Sequence, residues 1–196
     1  MLLEQATLLV KEHAGLMKIV EAYDLVHPES GELLGVAREE PGALAKWLRL
    51  GIPRSVLPTS VNVYEGAGRE PVLTLRRPFA LFRQRAEVRL GTGELVATFQ
   101  RRMLALGPTF DVLDPAGRVA VTVTGDLKGW NFRFTDPGGA EVGTVTRTWS
   151  GLARELLTSA DNYVIHVPRP PASLPHARAV LLAAGLAVET LYKEGS

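Results

Sequence analysis

One pattern recurs along the chain: alternating apolar and polar residues, a short glycine-containing turn, then more alternation. It occurs five times, from Ala22 to Glu39 around HPESG, Val61 to Arg77 around GAGRE, Ala86 to Arg102 around GTG, Thr109 to Asp126 around DPAG, and Asn131 to Trp149 around DPGG. Proline presets φ at the second turn position and glycine takes the positive φ that follows, so these are hairpin signals. In VAVTVT (Val119 to Thr124) and VGTVTRT (Val142 to Thr148), apolar and hydroxyl residues alternate with period two. Each such strand has one dry face and one wet face. YVIHV (Tyr163 to Val167) predicts one more strand. About twelve strands joined by tight turns make an antiparallel sheet that would expose long edges unless it curled closed.

The last stretch is different. From Ala179 to Val188 every residue is apolar or glycine, which predicts a helix over about 173–193 with Ser173 as N-cap and Pro175 in the first turn. A helix that is apolar all round must be wrapped by protein or by lipid. Ten residues rise only about 15 Å, roughly half of a bilayer's hydrocarbon core, so protein is the expected wrapping. A barrel of about twelve strands is wider than its own side chains can fill, and a central helix would fill it. The expected fold class is therefore mainly β (α+β): a closed antiparallel β-barrel of about 12 strands, over residues 8–168, around a buried C-terminal hydrophobic helix. The alternative is a β-sandwich with the helix packed outside.

Two segments interrupt the hairpins. Pro41 to Pro58 contains AKWLRL, read as a helical turn or a lid. Trp149 to Asn162 contains LARELL, whose spacing puts Leu152, Leu156 and Leu157 on one side of a helix.

Composition narrows the picture. A chain of 196 residues, 46% of them hydrophobic, is long enough for a sizeable core, and we read it as a single domain over 1–196. The sequence has no cysteine, which excludes disulfides, thiolate zinc sites and a cysteine nucleophile. The opening MLLEQATLLVKEHAGLMK lacks the basic region, long apolar core and cleavage site of a signal peptide. No apolar stretch reaches transmembrane length. The expectation is a cytoplasmic protein able to sit peripherally on a membrane.

VGTVTRTWSGLARELLTSADNYVIHVP (Val142 to Pro168), followed by the apolar helix, resembles the C-terminal half of the phospholipid scramblase family. The matching positions are Gly143, Trp149, Ser150, Gly151, Arg154, Glu155, Ala160, Asp161, Asn162, Tyr163 and Pro168. Upstream, VLTLRRPF (Val72 to Phe79) resembles the family's leucine-x-arginine-proline strand end. The resemblance runs from about Leu9 to Tyr192. It implies the scramblase/tubby-like fold shared with plant LURP-one-related proteins, a closed twelve-stranded barrel around a C-terminal helix. The chain departs from the family in its calcium segment, which here begins at Ser159 and ends at Arg169-Pro170, leaving only Asp161 and Asn162 as oxygen ligands. Calcium takes six to eight oxygens, so no metal is expected there. The family's cysteine cluster is replaced by FALFRQRAEV, and the sequence shows nothing like the proline-rich N-terminal tail of the animal proteins.

Signs of catalysis are scarce. His13, His27, His166 and His176 are scattered, and no paired metal spacing, nucleophile elbow or phosphate loop occurs. GAGREP (Gly66 to Pro71) is a hairpin turn rather than a dinucleotide fingerprint. Asp111, Asp114, Asp126 and Asp136 are placed in or beside turns, where aspartate caps its own backbone. No enzyme activity and no cofactor are expected.

One charged region remains. Arg76, Arg77, Arg83, Arg85, Arg89, Arg101 and Arg102 are opposed within their stretch only by Glu87 and Glu94, with Phe79 and Phe82 among them. Guanidinium forks suit phosphate, and basic patches with aromatics suit anionic lipid or nucleic acid. The plainer account is that outward strand faces must carry charge. We single these arginines out as lipid- or anion-binding candidates, with anionic phospholipid as partner and nucleic acid as the weaker one. Trp149, Gly151, Arg154, Glu155, Asp161 and Asn162 are read as structural, pinning the crossing between barrel wall and helix. A pocket at a barrel mouth, binding or transforming a small molecule, is the rival reading.

Overall fold

Alternation dictates the wall. In the computed structural model, which describes residues 1–12, 22–41, 58–66, 68–78, 85–102, 105, 107–126, 130–147 and 162–192, twelve strands follow a short 3-10 turn at Leu2–Glu4. They are β1 (Thr7–Glu12), β2 (Ala22–Val26), β3 (Leu33–Pro41), β4 (Thr59–Glu65), β5 (Leu73–Arg77), β6 (Arg85–Leu90), β7 (Leu95–Arg101), β8 (Thr109–Leu113), β9 (Val119–Asp126), β10 (Asn131–Thr135), β11 (Glu141–Thr146) and β12 (Tyr163–His166). Each pairs antiparallel with its sequence neighbours, and β1 closes the barrel on β12 with Val10 opposite Tyr163 and Thr7 opposite His166. Closure leaves no unpaired edge among these strands.

The turn chemistry fixes the registers. DPAG and DPGG fold alike: Gly117 donates to the Asp114 carbonyl at 2.9 Å and Gly139 to the Asp136 carbonyl at 3.0 Å. Both glycines hold positive φ, 80° and 86°, and a bulge sits in each hairpin, at Val112/Leu113 and at Phe134/Thr135. This is a tight turn closed by a left-handed residue, which only glycine adopts without strain. Asp114 and Asp136 cap these turns through the backbone N–H groups of Arg118 and Ala140, both at 2.9 Å. Asp111 differs from expectation. It lies inside β8, on the wet face, because the bulge comes after it.

Helix α1 (Ala177–Tyr192) occupies the axis, with Val180, Leu181, Ala183, Ala184 and Ala187 fully buried. Its inward neighbours include Phe99, Phe110, Phe132 and Phe134, which belong to the same apolar cluster. Sixteen residues span about 24 Å, and among the described residues no helix is long and apolar enough to cross a membrane. The helix starts later than Ser173. Pro175 disfavours helical geometry at Leu174, and His176 takes a left-handed φ of 51°, so the first helical bond runs from the Val180 N–H to the His176 carbonyl at 3.0 Å.

The topology gives the barrel two distinct ends. The β2–β3, β4–β5, β6–β7, β8–β9 and β10–β11 turns lie at one, here the turn end, where α1 enters. The remaining strand connections leave from the other, here the far end.

Candidate functional site

Consecutive residues of a strand point to opposite faces, and this divides the arginines. On β5, Arg76 is exposed outside whereas Arg77 is buried inside. Arg77 pairs in register with Thr59, whose hydroxyl donates to Glu39 Oε1 at 2.9 Å, and all three residues are buried. On β6, Arg85, Glu87 and Arg89 share the outer face. Arg89 chelates Glu87 Oε2 through Nε and Nη2 at 3.2 and 3.0 Å and also donates to the Gly93 carbonyl at 3.0 Å. Arg89 thus serves its own hairpin at the turn end. Arg85 Nη2 donates at 2.9 Å to the neutral Gln100 Oε1 across on β7.

Arg101 ends β7 with its side chain half-buried. Arg102 follows and is held from Nε by Asp111 Oδ2 at 2.7 Å, while Asp111 Oδ1 accepts from the Thr122 hydroxyl at 2.9 Å. The Asp111 hydrogen bond pushes the Arg102 pKa further up, so this guanidinium is permanently charged but neutralised. Arg83 lies outside the described residues. Arg76, Arg77, Arg85, Arg101 and Arg102 therefore gather at the far end of three adjacent strands, on both faces, and Arg89 stands apart. Outside, the local balance is Arg76, Arg85 and Arg89 against Glu87, and Arg89 already holds that glutamate. Arg76 faces Glu87 across the β5–β6 ladder and Arg85 sits two residues before it, a diagonal spacing of about 7–8 Å between their Cα atoms. That leaves two outward cations with no acidic partner among the described residues.

The interior of the far end holds groups not anticipated from sequence. The Arg147 guanidinium lies 4.6 Å from the Trp130 ring centroid, and Trp130 packs tilted against Tyr163 with ring centroids 5.0 Å apart. A cation over an indole face is attracted by the ring's quadrupole. The signal for this contact was present: the DPGG turn sets Asn131 opposite Thr146, and one step further Trp130 meets Arg147.

Of the crossing motif, Trp149, Gly151, Arg154, Glu155, Ser159 and Asp161 lie outside the described residues, as do AKWLRL and LARELL. Asn162 is buried immediately before β12. The β12 backbone is committed to ladders with β1 and β11, as the alternation of Tyr163 to Val167 implied. Among the described residues no three His, Asp or Glu side chains come together to hold a metal. His166 Nδ1 lies 2.8 Å from the Thr7 hydroxyl, and burial lowers its pKa.

A closed twelve-stranded antiparallel barrel on a C-terminal helix is the architecture that the scramblase-like motif implied. The family model described as Scramblase matches residues 1–194. The chain belongs to the scramblase family. Neither a curated protein nor a solved structure matches it. Membership and barrel agree, and the helix that the motif placed after Pro168 is the core of that barrel.

Proposed function

We propose that this scramblase-family domain binds the headgroups of anionic phospholipids, peripherally and without catalysing a reaction, through the outer far-end rim of β5 and β6. The observation that carries the reading is the pair Arg76 and Arg85: outward, on adjacent strands, and without an acidic partner among the described residues. Each guanidinium offers a planar fork of donors that matches phosphate oxygens, and the surface potential of an anionic leaflet adds to the attraction. Arg102 lies beside them but is neutralised by Asp111, so the rim's net charge rests on Arg76 and Arg85. The buried position of α1 supports contact by the rim rather than by insertion of the helix. On this reading the protein works at a cytoplasmic membrane face.

The test is sedimentation of the protein with phosphatidylcholine vesicles, with and without phosphatidylserine. Binding should require the anionic lipid, fall with salt and fall again in Arg76→Ala/Arg85→Ala. Equal binding to neutral vesicles, or an unchanged double variant, contradicts it. Tighter, steeply salt-dependent binding to duplex DNA than to vesicles would favour a nucleic-acid partner instead.

A further inference from the structure

At the turn end, the N-terminal 3-10 turn, the β4–β5 and β6–β7 connections and the segment leading into α1 surround a cleft of about 610 Å³. The 3-10 turn is fixed there by the Leu2 N–H donating to Glu65 Oε1, with Leu2 buried. Small-molecule sites occupy about 300–1,000 Å³, so the volume is of the right order. The walls are mainly apolar: Leu3, Val72, Leu90, Pro171 and Leu174. Leu3, Val72 and Leu90 pack against the barrel core, so these walls are continuous with rigid structure.

One arginine lines this cleft, Arg178, in the first turn of α1. Its Nε is shut off from solvent and has no hydrogen-bond partner among the described residues. Its Nη1 lies 3.8 Å from Glu4 Oε2, too far for a hydrogen bond, and Glu4 itself is 72% exposed. A buried donor without an acceptor is costly and uncommon. The first-turn amides of α1 add a positive end at the same place, since the first helical bond begins only at Val180. The Arg178 side chain as a whole is one-third exposed, so the outer guanidinium nitrogens, not the enclosed Nε, face a ligand, with Glu4 at the rim of the same cleft. Apolar walls beside that cation call for a ligand that is apolar along its length and anionic at one end.

We infer that this cleft binds a single-chain anionic amphiphile, a fatty acid, with its chain against Leu3, Val72, Leu90 and Leu174 and its carboxylate accepting from the Arg178 guanidinium. A carboxylate presents two oxygens to the guanidinium fork, and the bond is charge-assisted. This site lies at the opposite end of the barrel from Arg76 and Arg85, so it stands or falls separately from the headgroup reading.

The experiment is a titration of the full chain with laurate below its micelle concentration, followed by calorimetry and by amide chemical shifts, with dodecanol and acetate in parallel. Laurate should saturate a single site and shift the amides of Leu3, Val72 and Leu90. Dodecanol should bind more weakly and acetate not measurably. Arg178→Gln should weaken laurate about tenfold or more while leaving dodecanol unchanged. Ala172→Trp, at an exposed position of the lining, should fill the cleft and abolish both without moving the melting temperature. Arg76→Ala/Arg85→Ala should leave laurate binding intact. Laurate binding no tighter than dodecanol, an unchanged Arg178→Gln, or undiminished binding by Ala172→Trp would each overturn the inference.

Discussion

Gly185 of α1 lies against Ile165 of β12 so closely that a Cβ on the glycine would stand 2.7 Å from Ile165 Cγ1 and collide with the tip of the same side chain. The helix and the wall touch there with no room for a methyl group. Gly185→Leu should therefore cost at least about 1–3 kcal/mol by overpacking. Leu182→Asp, which buries a carboxylate among apolar neighbours, should cost several kcal/mol more. Urea denaturation followed by circular dichroism checks both. The expected outcome is an unfolded or strongly destabilised domain. A fully folded Leu182→Asp would show that the helix is not core.

Vesicle binding should respond to the two outward arginines by number. Near an anionic surface each Lys or Arg contributes about 1 kcal/mol, so Arg76→Ala/Arg85→Ala should weaken partitioning about tenfold to thirtyfold. Stability should stay within about 0.5 kcal/mol of the parent, because both side chains project into solvent. Arg89→Ala acts through its acidic partner. It releases Glu87, which faces Arg76 across the ladder, and should weaken partitioning as well, whereas Arg118→Ala, at the turn end and paired with Asp114, should change it little.

The twin turns give a backbone test. Gly117→Val and Gly139→Val put β-branched residues at φ values of 80° and 86°, and each should lower stability by about 1–3 kcal/mol. Pro115→Ala and Pro137→Ala act mainly by freeing the unfolded chain and should cost about 0.4–1 kcal/mol. Chemical denaturation of the four variants ranks them. Equal effects would show that the positive φ carries no special cost.

Acid should weaken the barrel in two windows. Burial holds the His166 pKa below its ordinary 6.5, so between those values the unfolded chain binds more protons than the native one. Stability is thus retained above pH 6.5 and declines as pH falls through the window. The Arg118 backbone N–H, then its guanidinium, hold Asp114 below its ordinary 3.8, and that contribution disappears only as pH drops through the lower value. Urea midpoints from pH ~7.5 to ~5.5 should fall in the parent and flatten in His166→Gln. Parallel curves would contradict the assignment.

Much of the wall was legible because hairpin chemistry is local. DPAG and DPGG fix both the turn and the register beyond it, which is why strand count, antiparallel pairing and closure could be read without coordinates. The helix was legible from its uniform apolarity, but its start was not: Ser173 and Pro175 carry cap signals that the left-handed His176 overrides. The arginines were visible as a cluster, and their faces follow from period two, since Arg76 and Arg77 are adjacent. Their charge state was not visible, because Arg102 meets Asp111 through the β7–β8 register, where Gln100 stands opposite Asp111. A pocket at a barrel mouth was expected only as a rival reading, and no residue of the turn-end cleft was legible in advance. That cleft is assembled from four segments distant in sequence, with Arg178 brought to Leu3, Val72 and Leu90 only by closure.

On the proposed reading the barrel meets lipid with its arginine rim while its apolar helix stays inside. Paramagnetic broadening from spin-labelled lipid in anionic nanodiscs tests this residue by residue. Broadened amides are expected at Arg76 and Arg85, with Val180, Leu181, Ala184 and Ala187 untouched. Broadening along Val180 to Ala187 with a silent rim would contradict it.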